Sequence, residues 1–219
     1  AVVITSGRNV AITDEDAIVL GASTVSGTYA VTATAGDISN SGNLVITGAA
    51  TFKTTTADSN IILGQSGNAF TSTVTMQAGD GSADFGDITF VDSAAVRLHT
   101  SAQSAGDLYI NAATDGAVDG DLSVTANGDI TQTVALAVTG TTTLVAGGND
   151  ITLDTSTNNF ATVVITSGRN VALRDAGAIV LGAATVSGTY GITAGGNITD
   201  DGTQEIAGVT TLVAGGNDI

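Results

Sequence analysis

One long phrase, written twice, limits this chain more than anything else in it. Val2–Tyr29 ("VVITSGRNVAITDEDAIVLGASTVSGTY") returns at Val163–Tyr190 ("VVITSGRNVALRDAGAIVLGAATVSGTY") with five substitutions, a shift of 161 residues. A shift of 68 aligns Leu122–Ile151 with Tyr190–Ile219, and "TTLVAGGNDI" stands letter for letter at 142–151 and at 210–219. Self-similarity of this kind marks stacked repeats, in which one unit cannot bury its apolar residues alone. The chain reads as roughly two and a half copies of a long repeat, with approximate limits 1–60, 61–150 and 151–219. The middle copy is diverged and carries insertions: "NIILGQSGNAF" (60–70) echoes "DITLDTSTNNF" (150–160), and "DLYINA" (107–112) and "DLSVTA" (121–126) read as one extra turn duplicated locally. Residues 1–219 are thus expected to be a single continuous segment of a longer array.

A shorter rhythm runs inside each copy. In the last one, apolar-centred segments fall at Ile151, Val163, Val171, Ile179, Thr185, Gly191, Asn197, Glu205 and Thr210, nine within 68 residues. Gly, Asn and Asp lie between them, residues that turn a chain by accepting positive φ or by bonding their own backbone. Ile151 and Leu153 alternate with Thr152, the period-two mark of a strand with one buried face. A β-sandwich would need longer strands, two-residue hairpins and larger core residues, whereas short, evenly spaced strands suit a solenoid. Nine strands divide into three coils of three, about 22 residues each. The expected fold is all-β: a right-handed parallel β-helix (β-solenoid) of about ten coils, roughly 50 Å long at ~4.8 Å per coil.

Composition agrees. The 219 residues include 29 Gly, no Pro, no Cys and no Trp, with 42% hydrophobic but only 4% aromatic residues. Small aliphatic and β-branched side chains favour extended backbone and a thin core. Without cysteine there is neither a disulfide framework nor a thiolate metal site. Twenty-one acidic residues against five basic ones give a net charge of −16, a surface that repels phosphate backbones and anionic lipid. No nucleic-acid partner is expected. No apolar run approaches the ~18–20 residues of a membrane span, so no membrane insertion is expected either.

Candidate chemistry is sparse. His99, the one histidine, is read as a surface strand residue. Paired carboxylates of a glycosidase or lyase could come from Asp14 and Asp16, from Asp80, Asp84 and Asp87, from Asp115, Asp119 and Asp121, or from Asp200 and Asp201. All stand beside glycine in corner segments, where turn geometry alone favours Asp. Arg8, Lys53, Arg97, Arg169 and Arg174 are the whole basic supply, too few to hold a polyuronate. Arg8 and Arg169 match in "SGRNV", which predicts a repeated structural contact with a carboxylate. "AGGNDI" lacks the tandem spacing of calcium-roll nonapeptides, although Ca2+ at acidic corners is an alternative. Phe70 with Phe160 and Tyr29 with Tyr190 recur at fixed offsets, as core residues or a stacked ladder do. The threonine runs Thr54–Thr56 and Thr141–Thr143 lack the regular array of an ice-binding face, and Asn149 and Asn217 are read as stacked corner amides. The sequence assigns no catalytic, cofactor or metal residue, and the chain is not expected to be an enzyme.

The phrases "TVSGTY", "TTTLVAGGNDITL", "NNFATVVITSGRNVAL" and "GAIVLGAATVSG" resemble the β-helical repeats of very large secreted bacterial exoproteins of the filamentous haemagglutinin type, over nearly the whole chain. That resemblance implies an extracellular, cell-surface location, export by an outer-membrane partner transporter, and a long shaft serving adhesion, aggregation or biofilm matrix. The secretion domain, any Arg-Gly-Asp tripeptide and any basic glycan-binding patch of that group are not among these residues. The expected role is a non-catalytic shaft segment whose partners are neighbouring repeats, with lateral or end-to-end self-association. The alternatives are a carbohydrate-binding or polysaccharide-cleaving β-helix and a Ca2+-dependent surface-layer component.

Overall fold

The computed structural model describes residues 1–80, 86–99, 107–110, 117–118, 120–216 and 218–219. Among them the strand pairs are parallel and no helix forms. One 14-stranded and one 11-stranded sheet wind together as a parallel β-solenoid of about nine turns, close to the ten expected.

Each regular turn has three sides. Ile18–Leu20 pairs with Ile38–Asn40, Ser23–Val25 with Leu44–Ile46, and Tyr29–Ala33 with Ala50–Thr54. The first two sides belong to the larger sheet and the third to the smaller. Ile18–Val25 is continuous through the first corner, where Leu20 and Gly21 are buried in succession and the in–out alternation resets. In the smaller sheet the register advances by 19 residues from Val10 to Tyr29, by 21 to Ala50 and by 24 to Val74. Later turns are more even, with Ile130, Ile151, Val171, Tyr190 and Thr210 stacked in order. All nine segments read from the last copy are strands or halves of one, Ile179–Val186 supplying two of them.

Two expectations about the repeats are corrected. The 68-residue shift is not three whole coils. Thr142–Val145 lies in the larger sheet, between Leu122–Thr125 and Val163–Ser167, whereas the identical residues Thr210–Ala214 pair with Tyr190–Ala194 in the smaller one. Residue type fixes which side chains point inward. Which side of the solenoid a strand occupies depends instead on how many residues each preceding corner consumes. The 161-residue shift does preserve the side: Val10–Asp14 and Val171–Asp175 both lie in the smaller sheet.

The second correction concerns "DLYINA" and "DLSVTA", which do not occupy equivalent places. Leu122–Ala126 follows Ile88–Asp92 in the larger sheet, but Asp107–Ile110 enters the smaller sheet out of chain order, between Val74–Gln77 and Val96–His99.

The core is a continuous column of inward side chains from Ile18 to Ile198. Its widest members form an aromatic ladder. Tyr29 and Phe52 meet edge to face at 5.9 Å, Phe52 and Phe70 at 6.1 Å, and Phe70 and Phe90 tilt together at 5.3 Å. Tyr29 and Phe70 therefore do serve as ladder residues, and Tyr190 and Phe160 are buried at their matching positions. Edge-to-face contacts suit the ring quadrupole and add to the area term. Phe52→Ala is expected to cost about 3–5 kcal/mol, the range for a buried Phe truncated in a packed core. Thr51→Ala, one residue away on the outer surface, should stay within about 0.5 kcal/mol. Urea unfolding of both variants measures the contrast.

Candidate functional site

The parity of the strands sends a few polar residues inward, and these gather at two matching corners. Asn40 closes the strand Ile38–Asn40, and Asp92 closes Ile88–Asp92, each at an inward position. Between their turns sits Asn68, fully buried. Its side-chain oxygen accepts hydrogen bonds from Asn40 Nδ2 at 2.8 Å and from the Leu44 N–H at 3.0 Å, and its Nδ2 donates to the Leu63 carbonyl at 3.2 Å. Above it, the Phe70 N–H donates to Asp92 at 3.2 Å.

The last copy rebuilds the column from other residues. Asn158 takes the place of Asn68, accepting from Gln132 Nε2 at 2.8 Å and from the Leu136 N–H at 2.9 Å, and donating to the Leu153 carbonyl at 3.1 Å. Asp175 takes the place of Asp92, accepting from the Phe160 N–H at 2.7 Å and the Gly177 N–H at 2.8 Å. Burial raises the carboxyl pKa of Asp92 and of Asp175, and the backbone N–H donors offset part of that rise. Asn68, Asn158, Asp92 and Asp175 are themselves buried, and their bonds hold the corners together.

A second polar device stands outside. The residue that precedes the first inward aliphatic of a strand is repeatedly Asp or Asn, and its side chain accepts an N–H from the next turn. On the larger sheet Asp37 accepts from the Asn60 N–H, Asn60 from Asp87, Asp87 from Asp121 and Asp121 from Thr141, at 2.6–2.8 Å. On the smaller sheet Asp129 accepts from Asp150, Asp150 from Asn170 and Asn170 from Thr189, at 2.9–3.2 Å. This ladder explains the glycines that stand just before it. A Cβ at Gly120 would strike Asp87 Oδ1, and one at Gly188 would strike Asn170 Oδ1.

Each candidate residue can now be placed. Asp87 and Asp121 come together only as successive rungs of the ladder. Asp14 accepts the Asp16 N–H at 3.2 Å, the same two-residue loop that Asp175 makes with Gly177. Asp200 and Asp201 are exposed. Asp80 is exposed beside a positive-φ glycine, Gly79. Asp84, Asp115, Asp119 and Asn217 lie outside the described residues, as do the side chains of Arg97 and His99. The backbone of His99 pairs with Tyr109. Lys53 and Arg174 point outward from the smaller sheet.

The contact expected of the repeated arginine is present once. Arg169 grips Asp150 with Nε at 2.7 Å and Nη2 at 2.8 Å. Arg8 stands at the matching position in the first described turn. Asn149 bonds the Ala146 carbonyl of its own turn at 2.9 Å rather than a stacked amide. Thr54 is buried, bonding the Ser59 carbonyl at 3.1 Å, and Thr142 points into the core while Thr143 faces outward.

Among the described residues no three His, Asp or Glu side chains converge as a metal-ligating group. A cleft of about 570 Å3 lies beside the last turns of the core, between Leu181, Tyr190, Ile198, Ile206, Leu212 and Ile219. Burial pushes the Tyr190 phenol up to about 12, and its hydroxyl has no hydrogen-bond partner. Tyr29 is raised by burial too, with Ser23 offsetting part of the effect, but the last copy has Ala184 where the first has Ser23.

Three stretches, 7–77, 105–167 and 168–219, match a family described as repeats of unknown function (DUF5649). Together they cover most of the chain, which belongs to this repeat family. No curated protein and no solved structure matches it.

Two measurements test these polar contacts. Asp175→Ala strands the buried Phe160 N–H in the core and is expected to cost about 1–3 kcal/mol, against little for Asp201→Ala. Hydrogen bonds from Arg169 hold the Asp150 carboxyl down to about 2, below its ordinary 3.8. Its stabilising contribution is therefore complete above the ordinary carboxylate range and is lost as pH falls towards about 2. Asp92 and Asp175, with raised values, slope the other way and favour the folded state on protonation. Arg169→Met should flatten the loss of stability between about pH 4 and about pH 2, read from urea midpoints across that window.

Proposed function

We propose that the segment is a structural shaft of a large secreted bacterial surface adhesin or matrix filament and carries no catalysis. The observation that supports this most directly is what the repeated polar residues do. Asp37, Asp87, Asp121, Asp129 and Asp150 accept N–H groups from the next turn, and Asn68 and Asn158 hold buried corners. A polysaccharide-cleaving site would instead aim two carboxylates at one point across ~5–9 Å of open groove. The continuous parallel ladder supports the same reading, because stability summed over neighbouring coils permits indefinite lengthening. So do the outer positions, filled by small neutral residues such as Thr89, Ser123, Thr143 and Thr152. An extracellular setting and export by a partner transporter belong to this proposal and rest on the resemblance of the repeat phrases.

The test is removal of the segment from its parent protein. With about nine turns gone, filaments on the cell surface should shorten by roughly 40 Å in electron micrographs, at ~4.8 Å per turn. Their binding specificity should be unchanged. Loss of a glycan-binding or glycan-cleaving activity on removal would replace the shaft with the carbohydrate reading. A melting temperature lowered by several degrees with EDTA would favour the Ca2+-dependent surface layer.

A further inference from the structure

One outer face of the larger sheet is uncharged over most of its width, in a chain whose net charge is −16. Down its middle runs an unbroken row of outward side chains, from Val19 through Ser39, Ile62, Thr89, Ser123 and Thr143 to Val164. Two residues further along the strands, a second row holds Val91, Thr125 and Val145. The opposite edge of the face, where the strands enter, is different. It is lined by Asp37, Asp87 and Asp121 of the corner ladder.

Apolar side chains on this face stand in water. Away from the first and last turns, the most exposed large apolar residues among those described are Val45 at 44%, Val19 at 41% and Ile62 at 40%. Two of them belong to the middle row, and Val45 lies on the adjoining side of the same sheet. The smaller sheet presents a less uniform surface. Lys53 and Arg174 project from it, and Asp107–Ile110 enters it out of chain order, whereas the larger sheet takes Ile61, Ile88 and Leu122 in succession. We infer that this uncharged face is a lateral docking surface for a second copy of the chain, laid face to face with both solenoids running in the same direction.

Area and charge select that occupant. Eight strands, from Ile18–Val25 to Ile179–Val186, stacked at ~4.8 Å and each presenting about 13 Å of its length, give about 500 Å2 a face. Two such faces bury about 1,000 Å2, the lower bound for a specific contact. Copies carrying this much negative charge repel each other at their corners. Contact through the uncharged rows leaves the carboxylates at the rim, where water and salt screen them. The acidic edge also sets the direction. A two-fold axis parallel to the solenoid places the acidic edge of each copy beside the uncharged edge of the other. A two-fold axis across the solenoid would set Asp87 and Asp121 of both copies along one seam, like charge against like. The parallel arrangement is isologous, so each residue of the middle row meets its own counterpart. The inference goes beyond the shaft reading and does not require it.

Sedimentation velocity of the 219-residue chain from low micromolar to millimolar concentration tests it. A monomer–dimer equilibrium is expected. It should tighten as NaCl rises from about 0.05 to about 0.5 M, because salt screens the rims and the face holds no ion pair to weaken. Ile62→Glu and Thr143→Glu should each weaken association about tenfold or more, since each buries an unpaired charge. Thr51→Glu and Thr152→Glu, the same change on the outer face of the smaller sheet, should leave it unaltered. Circular dichroism checks that each variant folds. The chain has no cysteine, so single cysteines joined by a short bis-maleimide report direction. Ser39→Cys and Thr143→Cys should each link to its own counterpart. Monomers at every concentration, association indifferent to Ile62→Glu and Thr143→Glu, or linkage of Ser39→Cys to Thr143→Cys in a mixture in place of like-to-like links, would overturn the inference while leaving the shaft reading in place.

Discussion

A backbone that winds in turns must find partners for its N–H and C=O groups in the turns on either side, and every other feature of this molecule serves that pairing. Strands pair through their own backbones, as parallel strands do when stacked in register. The corners cannot, because there the chain leaves the ladder geometry, and a buried corner N–H without a partner is costly. Two side-chain devices fill the gap. Outside, an Asp or Asn at the strand entry takes an N–H from the next turn, as Asp87 does from Asp121. Inside, Asn68 and Asn158 take the Leu44 and Leu136 N–H groups where water cannot reach. The ladder accounts for part of the acidic content and for some of the glycines, while others, such as Gly42, Gly48 and Gly208, make room for the backbone of the neighbouring turn. A carboxylate must approach the backbone above it, and only glycine leaves room at positions such as Gly120.

Much of the fold could be read directly. Alternation in "ITL" and "VAL" gives strands with one buried face, and the spacing of glycine and asparagine gives their length. The sandwich alternative fails on that spacing alone. The side of the solenoid was not legible. Identical residues at 142–145 and 210–213 lie in different sheets, because side is a sum over all earlier corner lengths and one inserted residue shifts everything after it. Nor was the strand Asp107–Ile110 legible as an intruder, since an out-of-order neighbour leaves no local mark.

The buried polar columns were missed although a signal existed. In "VALRD" the period that puts Val171 and Leu173 inside puts Asp175 inside too, and in "ITFVD" it does the same for Asp92. An acid at an inward position calls for a buried hydrogen-bond partner. The aspartates that drew attention instead, beside glycine at corners, are rungs. Arg169 was read correctly because it repeats, and repetition implies a structural rather than a singular role. Its carboxylate was not predictable, because Asp150 lies 19 residues away across a turn whose length was unknown.

The strand Asp107–Ile110 has a mechanical meaning. Between Ile61 and Leu122 the larger sheet takes two steps, through Ile88, while between Val74 and Ile130 the smaller sheet takes three, through Leu108 and Leu98. One flank of the rod is longer than the other by a strand spacing of ~4.8 Å. That is a wedge, and a wedge tips the axis towards the shorter flank.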